Sequence, residues 1–100
     1  MEEFLKKYIA DFNLLVKSTD NYLQELLEIK DLIIEASDKG KKSIIVGNGG
    51  SAAIASHFSV DLTKNAKVRC VNFNESDLIT CFSNDFGYEN WMSEAVKFYG

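Results

Sequence analysis

The first apolar positions are Phe4, Leu5, Tyr8, Ile9, Phe12, Leu15 and Val16, a spacing that draws one wide stripe along a helix. Glu3, Lys7, Asp11 and Lys17 fall toward water. Ser18 to Asn21 is a polar break rich in N-cap residues, and Asn21 with Gln24 forms a weak capping-box pattern. A second amphipathic helix follows, turning Leu23, Leu26, Leu27, Leu32, Ile33 and Ala36 inward. Lys39 and then Gly40 predict its end, glycine being the natural left-handed C′ residue.

The period then changes. Ser43 to Val46 is a short β-branched run without polar alternation, the pattern of a strand covered on both faces of a parallel sheet. Gly47 to Ser51 predicts a turn, and Ala52 to Leu62 a helix with Ile54, Phe58 and Leu62 on its apolar stripe. Val68 to Phe73 reads as a second strand, and Ser76 to Ser83 as a short helix capped by Ser76 or Asn74. Asn84 to Gly87 reads as a loop, and Tyr88 to Tyr99 as a last helix with Trp91, Ala95, Val96 and Phe98 partly covered. The order αα-β-α-β-α-α is that of an α/β doubly wound fold, begun and not finished. Residues 1–40 form its helical lead and residues 41–100 its sheet-bearing part.

Composition narrows the class. At 46% hydrophobic and 26% charged over 100 residues, the chain is ordinary for one small globular domain. A formal net charge of −4, with only Lys39, Lys41 and Lys42 tightly grouped, argues against a nucleic-acid binder. No apolar run reaches the ~18 residues of a membrane span. Charged residues from Glu2 to Asp11 interrupt any signal-peptide pattern, so the expected location is cytoplasmic. Cys70 and Cys81 lack CxxC spacing and read as two small buried hydrophobes rather than a disulfide or metal pair.

A strand running into a glycine turn and a helix creates an anion site. Amides at the helix start have no intrahelical acceptor, and the helix dipole adds positive character there. The residues are Gly47-Asn48-Gly49-Gly50-Ser51, lying outside the carboxyl end of a strand where open α/β sheets bind ligands. The turn lacks the Gly-Lys-Ser/Thr of a nucleotide P-loop and the GxGxxG of a dinucleotide site. Three glycines with Asn48 and Ser51 favour a small anionic ligand over a turn that binds nothing. His57 and Asp61, four apart, share a helix face and suit a divalent metal or proton transfer. By spacing alone, a His–Asp pair holding the helix to its neighbours is the preferred reading. Asn84-Asp85 serves either as a turn cap or as a hydroxyl-binding pair. The aromatics Phe82, Phe86, Tyr88, Trp91, Phe98 and Tyr99 read as core or subunit contact rather than a stacking platform.

Together, Gly47-Asn48-Gly49-Gly50-Ser51-Ala52-Ala53, His57-Phe58 and Asn84-Asp85-Phe86-Gly87-Tyr88-Glu89 resemble the phosphoheptose isomerase branch of the sugar-isomerase (SIS) domains. The resemblance runs from about Lys41 to Gly100, with the two preceding helices in the family's order. It implies a doubly wound parallel-sheet SIS fold, of which residues 41–100 are the N-terminal half. It further implies a longer protein, because the family's second serine-rich phosphate loop and its later helix with a glutamine and a histidine have no counterpart here. The residues it implies as substrate contacts are Asn48, Gly49, Gly50, Ser51, Asp61, Asn84 and Asp85. His57 and Asp61 match the positions of two zinc ligands, and Asp61 that of the base moving a proton between adjacent sugar carbons. The family has glutamate at that position, and Asp61 is one methylene, ~1.5 Å, shorter.

The resemblance therefore implies an aldose–ketose isomerase acting on a phosphorylated sugar, sedoheptulose 7-phosphate, for activated heptose in surface polysaccharide, with zinc as a possible cofactor and a homotetramer as its assembly. The aspartate sustains two alternatives. One is a non-catalytic module that senses a phosphosugar or binds a protein, as one relative does in replication initiation. The other is a metal-free isomerase of a different phosphosugar.

Overall fold

A computed structural model describes all residues, Met1–Gly100, and divides them into two compact units, Met1–Leu32 and Ile33–Gly100. The chain is mostly helical, with a small parallel sheet.

Helix α1 spans Glu2–Ser18 and α2 spans Leu23–Asp38. Between them, Thr19–Tyr22 is a 3-10 turn, not the N-capped break that the polar residues predict. The hydroxyls explain the difference. Ser18 Oγ and Thr19 Oγ1 each donate to a carbonyl three residues back, Leu15 and Val16, both at 2.6 Å, and so bind the preceding turn instead of capping the next. Along α1, Lys6–Glu2 and Lys7–Asp11 pairs stand 2.7 Å apart, and the Phe4 and Tyr8 rings lie 6.3 Å apart. Such pairs are worth only a few tenths of a kcal/mol each. Neither α1 nor α2 buries a residue, so the apolar positions assigned inward, Phe4 to Val16 and Leu23 to Leu32, are exposed or only partly covered.

The C-terminus of α2 is as glycine predicts. Gly40 takes φ 68°, its N–H donates to Ser37 at 2.9 Å and that of Lys41 to Ala36 at 2.9 Å, which satisfies two terminal carbonyls. Strand β1, Ser43–Ile44, pairs in parallel with β2, Cys70–Val71, with Ser43 opposite Cys70 and Ile44 opposite Val71. Both strands are shorter than the β-branched runs suggest. Helix α3, Gly50–Lys64, lies between them in sequence and closes on β2, where Thr63 Oγ1 bonds both the carbonyl and the amide of Cys70.

The face that α3 buries is not the predicted one. Ala55 and Ser59 are covered, while Ile54 and Phe58 face outward. Small side chains at 52, 55, 56 and 59 allow the helix to approach the strand closely, and that spacing outweighs hydrophobicity.

Helix α4, Ser76–Phe86, begins one residue from the predicted caps: the Glu75 carboxylate accepts from the Leu78 amide at 3.2 Å. It also runs on through Asn84 and Asp85, which are helical and not in a loop. Helix α5 is Trp91–Tyr99. Phe73, Trp91 and Ala95 form the core, with Ile44, Leu78, Ile79, Phe82 and Met92 against them. Val96 and Phe98, expected partly covered, are exposed. Phe82 meets Phe86 and Phe98 edge to face at 5.6 and 5.7 Å, so the aromatics pack among themselves. Cys70 is buried, which pushes its thiol pKa up, whereas Cys81 is exposed, contrary to expectation.

Trp91→Ala should cost about 3–5 kcal/mol, the range for emptying a core aromatic, and Phe98→Ala about 1 kcal/mol or less. Urea denaturation of the two variants checks the contrast; equal losses would contradict this core.

Candidate functional site

Three positions in the turn between β1 and α3 have different requirements. At Gly47 an added Cβ would stand 2.4 Å from the Ser51 carbonyl oxygen and 2.8 Å from the Ala52 nitrogen. These are backbone atoms of the first turn of α3, so they cannot move aside cheaply. Gly49 takes φ 57° and ψ −127° as the N-cap, a conformation side chains disfavour. At Gly50 there is open space and no special dihedral.

The donors at this end follow. Ser51 N–H and Ala52 N–H bond back to the carbonyls of Asn48 and Gly49 at 3.1 and 3.0 Å. The amides of Gly49 and Gly50 form no hydrogen bond within the chain, nor does the exposed Ser51 hydroxyl. Two amides, one hydroxyl and the Asn48 side chain therefore sit together at the positive end of a 15-residue helix. Beneath them, a crevice lined by Val46, Gly47, Asn72, Asn74 and Trp91 is too tight for a water molecule. It is a closed floor against Gly47, with no room for a bound molecule.

Sequence reasoning missed that floor. Asn74 Nδ2 donates to Ser56 Oγ at 2.9 Å, Asn72 Nδ2 to Ser59 Oγ at 2.8 Å, and the Asn74 amide to Asn72 Oδ1 at 2.9 Å. These bonds tie the end of β2 to the buried face of α3. The recoverable signal is the small-residue stripe on α3, since close approach leaves hydroxyls as the only side-chain partners.

His57 Nε2 and Asp61 Oδ2 lie 3.5 Å apart, an ion pair when the imidazole is protonated. His57 is 81% exposed at its side chain, and Asp61 accepts a 3.1 Å bond from Asn65 one turn on. The pair stays on its own helix, away from the face packed on β2. At 1.5 Å per residue, His57 and Asp61 stand about 10 and 16 Å along the axis from Gly50, so they do not adjoin the glycine turn. Their 3.5 Å separation is close to the ~3.3 Å between two ligands of one tetrahedral zinc. No group of three or more His, Cys, Asp or Glu side chains gathers here or elsewhere in the chain. The residues present thus fit two corners of a metal site, and zinc needs at least one further protein ligand.

At the end of α4, Asn84 Nδ2 donates to Asp85 Oδ1 at 3.0 Å, and Cys81 Sγ lies 3.7 Å from Asp85 Oδ2. Both residues of the pair are exposed. Gly87 then turns the chain, and Tyr88 Oη donates to Asn48 Oδ1 at 3.0 Å. The structure so joins the first and third motifs through a residue assigned to packing.

A strand of a small parallel sheet thus runs through a glycine turn into a helix start with free amides. Comparison with known proteins makes it particular. No family model matches the chain. Curated relatives named phosphoheptose isomerase do: that of Helicobacter pylori (strain P12) is 31% identical over 101 residues, covering 95% of this chain and 53% of the relative. The Fusobacterium nucleatum protein is 30% identical over 103 residues, covering 96% and 53%, and the Buchnera aphidicola protein 31% identical over 108 residues, covering 97% and 56%. The chain therefore spans about half the length of the curated relatives it matches. These relatives show the resemblance of the chain to the phosphoheptose isomerase family. No helix is long and apolar enough to cross a membrane.

Gly47→Ala should destabilise the chain by about 1–3 kcal/mol, the cost of overpacking against backbone, while Gly50→Ala should leave stability within about 0.5 kcal/mol. Thermal denaturation distinguishes them; an unperturbed Gly47→Ala would show that the turn is not held against α3.

Proposed function

We propose that this chain is part of an aldose–ketose isomerase of phosphorylated sugars, with sedoheptulose 7-phosphate as its substrate. The observation that carries the reading is the cluster of free donors at Asn48, Gly49, Gly50 and Ser51, in a chain whose relatives are named for this chemistry. In this reading β1 and β2 begin a doubly wound parallel sheet. The Gly49 and Gly50 amides and the Ser51 hydroxyl donate to ligand oxygens. Asn84 and the Asp85 carboxylate bind sugar hydroxyls.

Isomerisation moves one proton between adjacent carbons. Because Asp61 does not adjoin the turn of its own chain, in this reading it serves a sugar held at the turn of another copy in the homo-oligomer. There it accepts the proton from the carbon beside the carbonyl, leaving an enediol, and returns it to the neighbouring carbon. A group outside these residues gives a proton to the carbonyl oxygen and takes one from the neighbouring hydroxyl, so that no net proton is gained. His57 and Asp61 would hold a zinc ion, completed by a ligand from elsewhere. When bound, such an ion polarises a carbonyl oxygen as a Lewis acid. The apolar stripe of α1 suits contact with further copies in a homo-oligomer, a tetramer in this reading.

A second reading rests on Asp61. Its carboxylate is shorter than the family's glutamate and is already engaged by Asn65 and His57. A phosphosugar-binding module without turnover would retain the glycine turn and tolerate this aspartate.

The complete protein, incubated with sedoheptulose 7-phosphate, should form the aldoheptose phosphate, and Asp61→Asn should lower kcat by roughly a hundredfold or more. No turnover with or without added zinc sinks the enzymatic reading. Thermal stabilisation by the same sugar phosphate without turnover would favour the binding module.

A further inference from the structure

Two of the three motifs meet at one hydrogen bond, the 3.0 Å contact from Tyr88 Oη to Asn48 Oδ1 across 40 residues of sequence. Burial does not require it. Tyr88 is 56% exposed, so its hydroxyl has water available and needs no protein partner. The loop that presents it is braced on its own account. Gly87 takes φ 87°, and a Cβ there would stand 2.9 Å from the Glu89 carboxylate. Asn90 closes the turn twice, its amide donating to Gly87 at 3.0 Å and its side chain to Phe86 at 2.9 Å. The phenol thus stands on a fixed support.

Asn48 is the opposite case. It lies exposed between two glycines, and its carboxamide rotates about a broad, two-fold torsion. Free, that group offers a ligand its oxygen or its nitrogen about equally. With Oδ1 accepting from Tyr88, the nitrogen remains, carrying two N–H donors of the same sign as the Gly49 and Gly50 amides. A cluster otherwise mixed in character becomes uniformly donating, which suits an anionic or hydroxyl-rich ligand.

We propose that Tyr88 is a positioning residue, holding Asn48 so that its Nδ2 donates to the phosphosugar bound at the glycine turn. The inference rests on the phosphosugar reading given above. It also assigns the loop Gly87–Asn90 a role in binding: the loop carries the clamp for the turn.

The experiment is Tyr88→Phe in the complete protein, which keeps the ring and removes only the hydroxyl. Three quantities are measured: the NMR signals of the Asn48 side-chain amide without ligand, the melting temperature, and the affinity for sedoheptulose 7-phosphate. The Asn48 signals should shift, the melting temperature should stay within about 2 °C, and affinity should fall roughly five- to tenfold, the effect of one neutral hydrogen bond. Asn48→Ala should lose at least as much, and the double variant no more than Asn48→Ala alone. Unchanged Asn48 signals in Tyr88→Phe overturn the positioning inference whether or not the wild type binds. Shifted signals with unchanged affinity overturn it as well. Failure of the wild type to bind the sugar phosphate overturns the phosphosugar reading, and with it the ligand assigned here.

Discussion

The close pass of Gly47 over the first turn of α3 is the constraint on which the rest of the site depends. A backbone that comes this near to the Ser51 carbonyl has room for a hydrogen and nothing larger. Two consequences follow from that approach. The chain leaves β1 and enters α3 within a few residues, so the helix start lies beside the strand's carboxyl end. The Gly49 and Gly50 amides are also left without acceptors, because no helical turn precedes them, and the intrachain bonds begin only with the Ser51 and Ala52 amides. Both glycines are exposed, so their amides face solvent at the positive end of the helix.

Everything beneath the turn serves to keep that approach. The small side chains of α3 let it lie close to β2, and closeness leaves Asn72 and Asn74 within reach of Ser59 and Ser56. The half-buried Asn72 needs such a partner, since an unsatisfied buried amide costs about 1–3 kcal/mol, whereas Asn74 is exposed. Trp91 and Ala95 close the core from the side of α5. Tyr88 then links the turn to the loop that follows α4. Stability, geometry and donor character at this end therefore come from one set of contacts rather than from separate devices.

The His57–Asp61 pair is organised differently. It stands on the outward face of α3, two to three turns from the glycine turn, held only by its own helix. Two side chains 3.5 Å apart on an exposed face make a local pair and not a complete metal site. The turn's free donors all come from neighbouring residues of one segment, whereas no third ligating side chain stands beside the pair.

Local rules decided much of this in advance. The Gly40 stop, the parallel strand cores, the glycine turn and the helix after it are legible because each depends on one residue's dihedrals or on a short run's period. The alignment of His57 with Asp61 is legible for the same reason, four residues being about one helical turn. The tertiary structure decided what depends on neighbours. It made the small residues of α3, and not Ile54 and Phe58, the covered face, because distance of approach outweighs side-chain hydrophobicity there. It capped α4 with Glu75 and carried the helix through Asn84 and Asp85, and it left the stripe of α1 uncovered. It also brought Tyr88 to Asn48, a contact that no spacing or propensity encodes, because it exists only once Gly87 has turned the chain back toward the first motif.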